Sequence, residues 1–179
     1  EVLLLEKMSR PARKLRITGK GRCNLSNTDP VPQFIEHFNR GRFLYQALYR
    51  FSCDDLLAFF DQLGVPTVIE RAGRVFPASG QAQDVVDALV DWIAQAGATL
   101  LTGVPASELR LEEGRVTGVY TPPGKARKPR AYRGEAVVVA TGGASYPATG
   151  STGDGYRMAR AVGHTVVPIR PALVPLETR

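Results

Sequence analysis

The sequence predicts an α/β domain built on a parallel sheet and carrying an inserted β-meander, on three observations. Two short apolar runs, Val2–Leu5 and Val137–Ala140, each stop at a polar or glycine-rich turn, as strands buried on both faces do. Stretches of helical periodicity alternate with such runs, the pattern of α/β domains. Between Ser107 and Arg133 three β-rich runs follow one another closely enough to pair as a meander.

Taken in order, Val2–Leu5 reads as a buried strand that ends at Glu6-Lys7. Residues 8–22 are basic and contain Pro11, Gly19 and Gly21, so they read as a loop, with a short helix starting near Gly21. Residues 31–39 and 42–51 have helical character. Ser52 is a good N-cap for the next helix, with Asp54 and Asp55 favouring the positive end of its dipole. Leu56, Phe59, Phe60 and Leu63 recur at helical spacing until Gly64. Strands are expected at Thr67–Glu70 and Arg74–Phe76. The clearest helix spans 81–96, where Val85, Val86, Leu89, Trp92, Ile93 and Ala96 mark a core-facing stripe. Ala98–Leu101 is a strand, and Ser107–Leu111 with Arg115–Thr121 forms a hairpin across Glu112-Glu113-Gly114. Arg130–Arg133 returns as a strand. Glu135–Ala140 reads as a fully buried strand before Thr141-Gly142-Gly143. Gly153–Val162 is helical, and Thr165–Pro168 closes as a short strand.

The bulk numbers suit one soluble domain: 179 residues, 44% hydrophobic and 22% charged. No run approaches the roughly 18 apolar residues of a membrane helix, and Val2–Leu5 is too short and wrongly flanked for an export signal. Cys23 and Cys53 form no CxxC pair or Cys/His cluster, so neither a disulfide framework nor a metal site is expected. His37 and His164 are isolated and read as structural. A reducing cytoplasm fits this cysteine usage. The net charge of +6 is local: residues 7–22 and 122–133 together carry +12 with no acid, leaving the remainder at −6. Local basic segments of this kind suit phosphate-bearing ligands or nucleic acid, or stand as solvated loops.

Four sites carry candidate chemistry. An acid at the end of a dinucleotide-fold strand bonds the ribose hydroxyls, and Glu6 stands at such an end. The Gly-rich loop that normally lies about 20 residues earlier would then fall upstream of Glu1; Glu6 could equally be a solvent-facing strand-end residue. The segment from Arg13 and Lys14 through Gly19, Gly21, Arg22, Cys23 and Asn24 combines glycines that allow close backbone approach with a strong positive field. It suits a pyrophosphate or an electron-rich ring edge, and it is not a GxxxxGK[ST] loop. Thr141-Gly142-Gly143 would let a cofactor lie against the backbone at a strand's carboxyl end. Asp154, between Gly153 and Gly155, could cap its helix or hold a ligand hydroxyl.

Together, VLLLEK, the stretch from Arg13-Lys14 to TGKGRCNLSN, ATGGASYP, TGDGY and the tail PALVPL resemble the YhiN-like, or BaiN/RdsA, family of FAD-dependent oxidoreductases. The resemblance runs along essentially the whole chain; GKGRCN is specific, whereas ATGG is common among flavoproteins. It implies a partial Rossmann-like FAD-binding domain over 1–170 and the start of a second β-rich domain at 171–179. Glu6, with Lys7 beside it, would bind the adenosine ribose. Arg13, Lys14 and the Gly19–Asn24 loop would line the flavin or pyrophosphate, Val104 would touch the adenine through its backbone, and Thr141, Gly142 and Gly143 would pack near the cofactor. Ala12 departs from the glycine frequent in the family and is expected to alter only loop flexibility.

The implied activity is hydride transfer through flavin to an unsaturated substrate, with NAD(P)H as a possible electron donor. Tyr146, Cys23 and Asp154 are candidate proton donors, none assigned. Lacking the Gly-rich loop, the isolated chain is expected to be inactive and to bind FAD weakly or not at all. The competing reading is an RNA-binding module using the two basic segments, consistent with a family branch linked to dihydrouridine in ribosomal RNA. Tyr132 is the only aromatic residue in the second segment, which gives base stacking little support. A simple nicotinamide dehydrogenase would not need the TGKGRCN loop.

Overall fold

A computed structural model of the chain describes residues 1–38, 40–124 and 128–171. It forms two compact units: Glu1–Leu4 with Pro11–Leu100, and Leu5–Arg10 with Leu101–Arg179. Lys125 and Arg127 of the second basic segment lie outside the described residues. So does the second domain expected from residue 171, apart from Pro171.

In the first unit, β1 (Leu3–Leu5) leads towards α1 (Arg13–Ile17), a 3-10 turn at Thr18–Gly21 and the short β2 (Ser26–Asn27). Then come α2 (Val31–Glu36), a 3-10 turn at Gly41–Leu44, α3 (Tyr45–Arg50) and α4 (Cys53–Gln62). β3 (Thr67–Glu70), β4 (Arg74–Pro77), α5 (Ala82–Gln95) and β5 (Thr99–Leu101) follow. β4 is the centre of an antiparallel sheet ordered β2-β4-β3, with Val68 opposite Phe76 and Ser26 opposite Val75. β1 pairs with β5. Thr99 N–H donates to the Val2 carbonyl and, further along both strands, Glu6 N–H donates to Leu101, so the two run in parallel.

The capping of α4 follows the sequence closely. The Ser52 hydroxyl accepts from Asp55 N–H at 3.2 Å while the Asp55 carboxylate accepts from Ser52 N–H at 2.8 Å, a reciprocal capping box. The hydrogen bonds that the Ser52 N–H and then the Ser52 hydroxyl donate to it hold the Asp55 carboxyl below its ordinary pKa. The core gathers Cys23, Phe60, Val65, Ala82 and Val85, with Leu56, Phe59 and Leu89 packed against it. Val85 and Val86 of the predicted stripe are buried, but the stripe surfaces towards its end: Trp92 is 44% exposed, held edge-on to Phe59.

The second unit contains the predicted meander. β6 (Glu108–Glu112), β7 (Arg115–Thr121) and β8 (Arg130–Arg133) form an antiparallel sheet in sequence order. Glu113 (φ 50°) and Gly114 (φ 76°) make the two-residue connection, and two positive φ values are what a type I′ hairpin requires. α6 (Asp154–Ala161) follows a left-handed Gly153. Val104, Val119, Thr121 and Met158 are buried in this unit.

Five sequence expectations need correction, beginning with residues 8–22, which hold the helix α1 (Arg13–Ile17) where a loop was expected. Val2–Leu5 does contain a strand, but Val2 is 64% exposed and Leu3 and Leu4 are only partly covered. Glu135–Ala140 forms no strand, and Val138 is 89% exposed. Thr165–Pro168 has no regular structure either. An apolar run signals that a segment gains from cover, but a strand exists only where a neighbour accepts its backbone hydrogen bonds; among the described residues neither of these two runs has one. Finally, no helix starts at Gly21. Gly19, Lys20, Gly21 and Cys23 all have φ between 56° and 87°, left-handed backbone that cannot propagate a right-handed helix.

Candidate functional site

The predicted site residues fall in both units. In the second unit, the end of β1 is tied down by backbone. Glu6 N–H donates to the Leu101 carbonyl (2.8 Å), Val104 N–H donates to the Glu6 carbonyl (2.9 Å), and Gly103 N–H donates to Met8 (2.9 Å). The half-buried Glu6 side chain turns back so that Oε1 accepts from Met8 N–H at 2.7 Å. Its other oxygen makes no hydrogen bond among the described residues.

Lys7 carries the most connected side chain of this region. Its ammonium donates to Asp154 Oδ2 (2.8 Å), Thr152 Oγ1 (2.6 Å) and the Gly150 carbonyl (3.2 Å). An ammonium has three donors, so all are spent. Asp154, 9% exposed, also accepts from Thr152 Oγ1 and pairs with Arg157. Burial alone would raise its pKa. The hydrogen bonds from Lys7 and Thr152, with the charges of Lys7 and Arg157, outweigh burial and hold the carboxyl below its ordinary value. The N-cap of α6 is Gly153, and Asp154 makes no side-chain capping bond, so it is the anchor of Lys7 rather than a cap.

The glycine turn packs on the same helix entrance. Gly153 N–H donates to the Gly143 carbonyl at 3.0 Å, and Gly142 has φ 70°. Thr141 lies so close to Gly155 that a Cβ there would sit 2.6 Å from Thr141 Oγ1. Within this unit Glu6, Lys7, Val104, Thr141, Gly142 and Gly143 are therefore linked through β1's end and the start of α6. Sequence reading missed the Lys7–Asp154 link.

In the first unit, Arg13 and Lys14 lie on the exposed face of α1. The loop from Gly19 to Asn24 is rigidly built. A Cβ on Gly19 would sit 2.7 Å from the Phe76 ring. Arg22 stacks its guanidinium 4.1 Å above that ring and binds Glu70 through two hydrogen bonds of 2.7 and 3.3 Å. This pairing lowers the Glu70 pKa, first through the Arg22 hydrogen bond and then through the charges of Arg22 and Arg74. The Asn24 amide nitrogen, oriented to suit its neighbours, donates to the Val75 and Ser26 carbonyls at 3.1 Å each. The N–H groups of Arg22 and Cys23 turn inward to Gly19 and Thr18 (3.4 and 3.0 Å), so they do not form the outward anion cradle expected of a helix start at Gly21.

Cys23 is fully buried, and burial pushes its thiol pKa up, with a Thr18 hydrogen bond opposing. A buried thiol of this kind is inert. Asp154, held ionised, has no proton to give at neutral pH.

Ala12, at the family's frequent glycine position, has φ 57° and ψ 32° as the N-cap of α1. A left-handed alanine costs roughly 1–2 kcal/mol, so this departure is a matter of strain and not of flexibility alone. Ala12→Gly should relieve that strain, less the ~0.4–1 kcal/mol that glycine adds to unfolded-chain entropy. The expected result is a gain of a few tenths of a kcal/mol to about 1 kcal/mol in urea unfolding; a loss would show that the αL geometry is not strained.

Among the described residues no helix is long and apolar enough to cross a membrane. In comparison with known proteins, the HI0933-like protein Rossmann domain matches residues 1–172. The chain is 32% identical over 179 residues to the 3-dehydro-bile acid delta(4,6)-reductase of Clostridium scindens, covering all of this chain and 42% of that protein. It is 32% identical over 175 residues to the ribosomal RNA dihydrouridine synthase of Escherichia coli, 97% of this chain and 41% of that one. With the Haemophilus influenzae protein of the same description it shares 27% identity over 168 residues, 93% of this chain and 40% of the other. The chain thus spans about two fifths of the length of the curated relatives it matches. Among solved structures, Thermovibrio ammonificans THI4 has a similar fold, with TM-score 0.52 and 18% identity over 83% of this chain and 51% of that one. The resemblance read from the GKGRCN and ATGG segments is borne out: the chain belongs to the HI0933-like family of Rossmann-domain proteins.

Proposed function

We propose that this chain is the nucleotide-binding part of an FAD-dependent oxidoreductase that reduces an unsaturated substrate. The observation that carries this is the state of Glu6. It stands at the end of a strand in a parallel pair, one carboxylate oxygen locked on Met8 N–H and the other without a hydrogen bond among the described residues. That geometry fits a ribose, whose hydroxyls need a fixed, ionised acceptor at this point of a Rossmann fold. Val104 N–H is already given to Glu6, so a backbone contact with adenine falls to the Val104 carbonyl, which can accept from an exocyclic amino group.

Lys7 has no donor left for a ligand, and its role in this reading is to hold the strand end against Gly150, Thr152 and Asp154. Thr141, Gly142 and Gly143 supply a side-chain-poor surface on which a cofactor can lie. In the first unit, Arg13, Lys14 and the Gly19–Asn24 loop supply positive potential for the pyrophosphate or the flavin edge. Bound flavin would supply hydride chemistry, and the residues here would supply position and charge. NAD(P)H is the proposed electron donor, and the two free cysteines suit the cytoplasm.

The rival reading, RNA bound along the two basic segments, is weakened by where their cations go. Lys7 and Arg22 are committed to Asp154 and Glu70, and Arg16 to Gln83. The Tyr132 ring is covered by Arg130 at 4.7 Å.

The complete gene product should be purified and scanned for the two visible bands of oxidised flavin. Glu6→Gln, which keeps an acceptor for Met8 N–H but loses the charge, should weaken FAD binding about tenfold, the worth of one charge-assisted hydrogen bond. A colourless, folded protein, or an unchanged FAD affinity in Glu6→Gln, would count against the reading.

A further inference from the structure

In the glycine turn of the second unit, a hydroxyl stands beside the side-chain position of each glycine. A Cβ on Gly142 would sit 3.3 Å from Ser151 Oγ, and one on Gly143 would sit 3.4 Å from the Tyr156 hydroxyl. Tyr156 belongs to α6, and its ring packs beside Gly153, where a Cβ would lie 3.5 Å from Cδ2. The hydrogen bond from Gly153 N–H to the Gly143 carbonyl fixes that helix entrance against the turn.

Both hydroxyls have protons to give. Tyr156 is half-buried, and its hydroxyl makes no hydrogen bond among the described residues. A tyrosine taken partly out of water normally finds a partner for that group. Ser151 Oγ meets only Thr149 Oγ1 among them, at the limiting distance of 3.5 Å, and Thr149 already donates to the Tyr146 carbonyl at 2.8 Å. The cations of this region are the opposite case. Lys7 is spent on Asp154, Thr152 and Gly150, and Arg157 on Asp154 and the Thr152 carbonyl. What the turn offers a ligand is therefore two neutral O–H donors over backbone bare of side chains.

The group that suits this surface accepts hydrogen bonds and has none to give. Sugar hydroxyls do both, and the adenosine ribose is matched by Glu6, which only accepts. A phosphate oxygen only accepts, and glycines let it approach the backbone closely. In a dinucleotide the pyrophosphate follows directly on the adenosine ribose. We propose that Ser151 and Tyr156 donate to the pyrophosphate of the dinucleotide as it passes over Gly142 and Gly143. The assignment rests on the flavin reading and adds to it two phosphate contacts that belong to no Gly-rich loop.

The test uses the complete gene product, freed of flavin and titrated calorimetrically with FAD and, separately, with ADP, which keeps the ribose and pyrophosphate and lacks the flavin. One neutral hydrogen bond lost weakens binding about fivefold. Tyr156→Phe and Ser151→Ala should each weaken FAD and ADP alike by about that factor, while the Tm of the ligand-free protein stays where it was. Tyr156→Phe keeps the ring on Gly153, so the fold has no reason to change. Parent-like affinity for both ligands in either variant, with Glu6→Gln still weakening both, overturns this assignment and leaves the flavin reading standing. A loss confined to FAD moves the contact to the flavin half and overturns it as well. So does a loss that comes with a fall in the ligand-free Tm, which makes the hydroxyls structural. A gene product that binds neither FAD nor ADP fails the flavin reading itself, and this assignment with it.

Discussion

Asp154→Ala should destabilise the chain by about 2 kcal/mol at neutral pH, because it removes charge-assisted hydrogen bonds to a buried carboxylate whose cationic partners are themselves partly exposed. Lys7 would lose its charged acceptor and Arg157 its partner, while the side chain they surround is only 11% exposed. Lys7→Met should cost less, since Arg157 and Thr152 still satisfy the carboxylate. The effect also has a pH signature. The Asp154 carboxyl has a folded pKa below its ordinary, unfolded value. Its contribution is therefore complete above the ordinary aspartate range and is lost as pH falls through that range towards the lower folded value. Urea unfolding of the parent chain should show this acid-side loss, and Asp154→Ala should lack that component. Equal stability of parent and variant at neutral pH would dismiss the anchor.

Gly118→Ala should be at least as damaging, on the order of 3 kcal/mol or more, and should act on the meander as a whole. Gly118 sits in the middle of β7 with φ 148°, paired with Arg133 of β8. A Cβ there would fall inside the van der Waals radius of the Tyr132 carbonyl oxygen, a backbone atom that cannot move aside without breaking the β7–β8 ladder. Strained φ and overpacking add in the same direction. Hydrogen exchange should show the amides of β8 losing protection first. Gly114→Ala at the hairpin tip is the contrast: it meets no atom within 4 Å and should cost only the strain of its positive φ.

Much of this architecture was legible because local rules and tertiary demands agree in it. Ser52 and Asp55 form their capping box from neighbours three residues apart, and the α5 stripe follows from its period. The β6–β7 hairpin follows from Glu-Gly between two β-rich runs, since glycine tolerates the turn's positive φ. Glu6 was legible as a strand-end acid, and the GKGRCN and ATGG segments as family marks. Other features depend on residues far apart in sequence. Lys7 and Asp154 are separated by almost the whole chain, and nothing local to either names the other. Arg22 reads as a ligand-binding cation until Glu70 and Phe76 are seen to hold it. Ala12 reads as a mild substitution until its φ is known.

The sequence by itself determined the α4 cap, the α5 helix, the hairpin turn, the meander and the family, because those rest on spacing and on residue-specific backbone freedom. Tertiary structure alone decided which apolar runs become strands and which charges remain available. Glu135–Ala140 is as apolar as a central strand, yet without a hydrogen-bonding neighbour among the described residues it stays open. The basic 7–22 segment looks rich in free cations, yet its Lys7, Arg16 and Arg22 are bonded within the fold, while Arg40, Arg42 and Arg50 make no ion pair or hydrogen bond among the described residues. The reason is the same in both cases: a backbone donor or a charge is defined by its partner, and the partner is supplied by the fold.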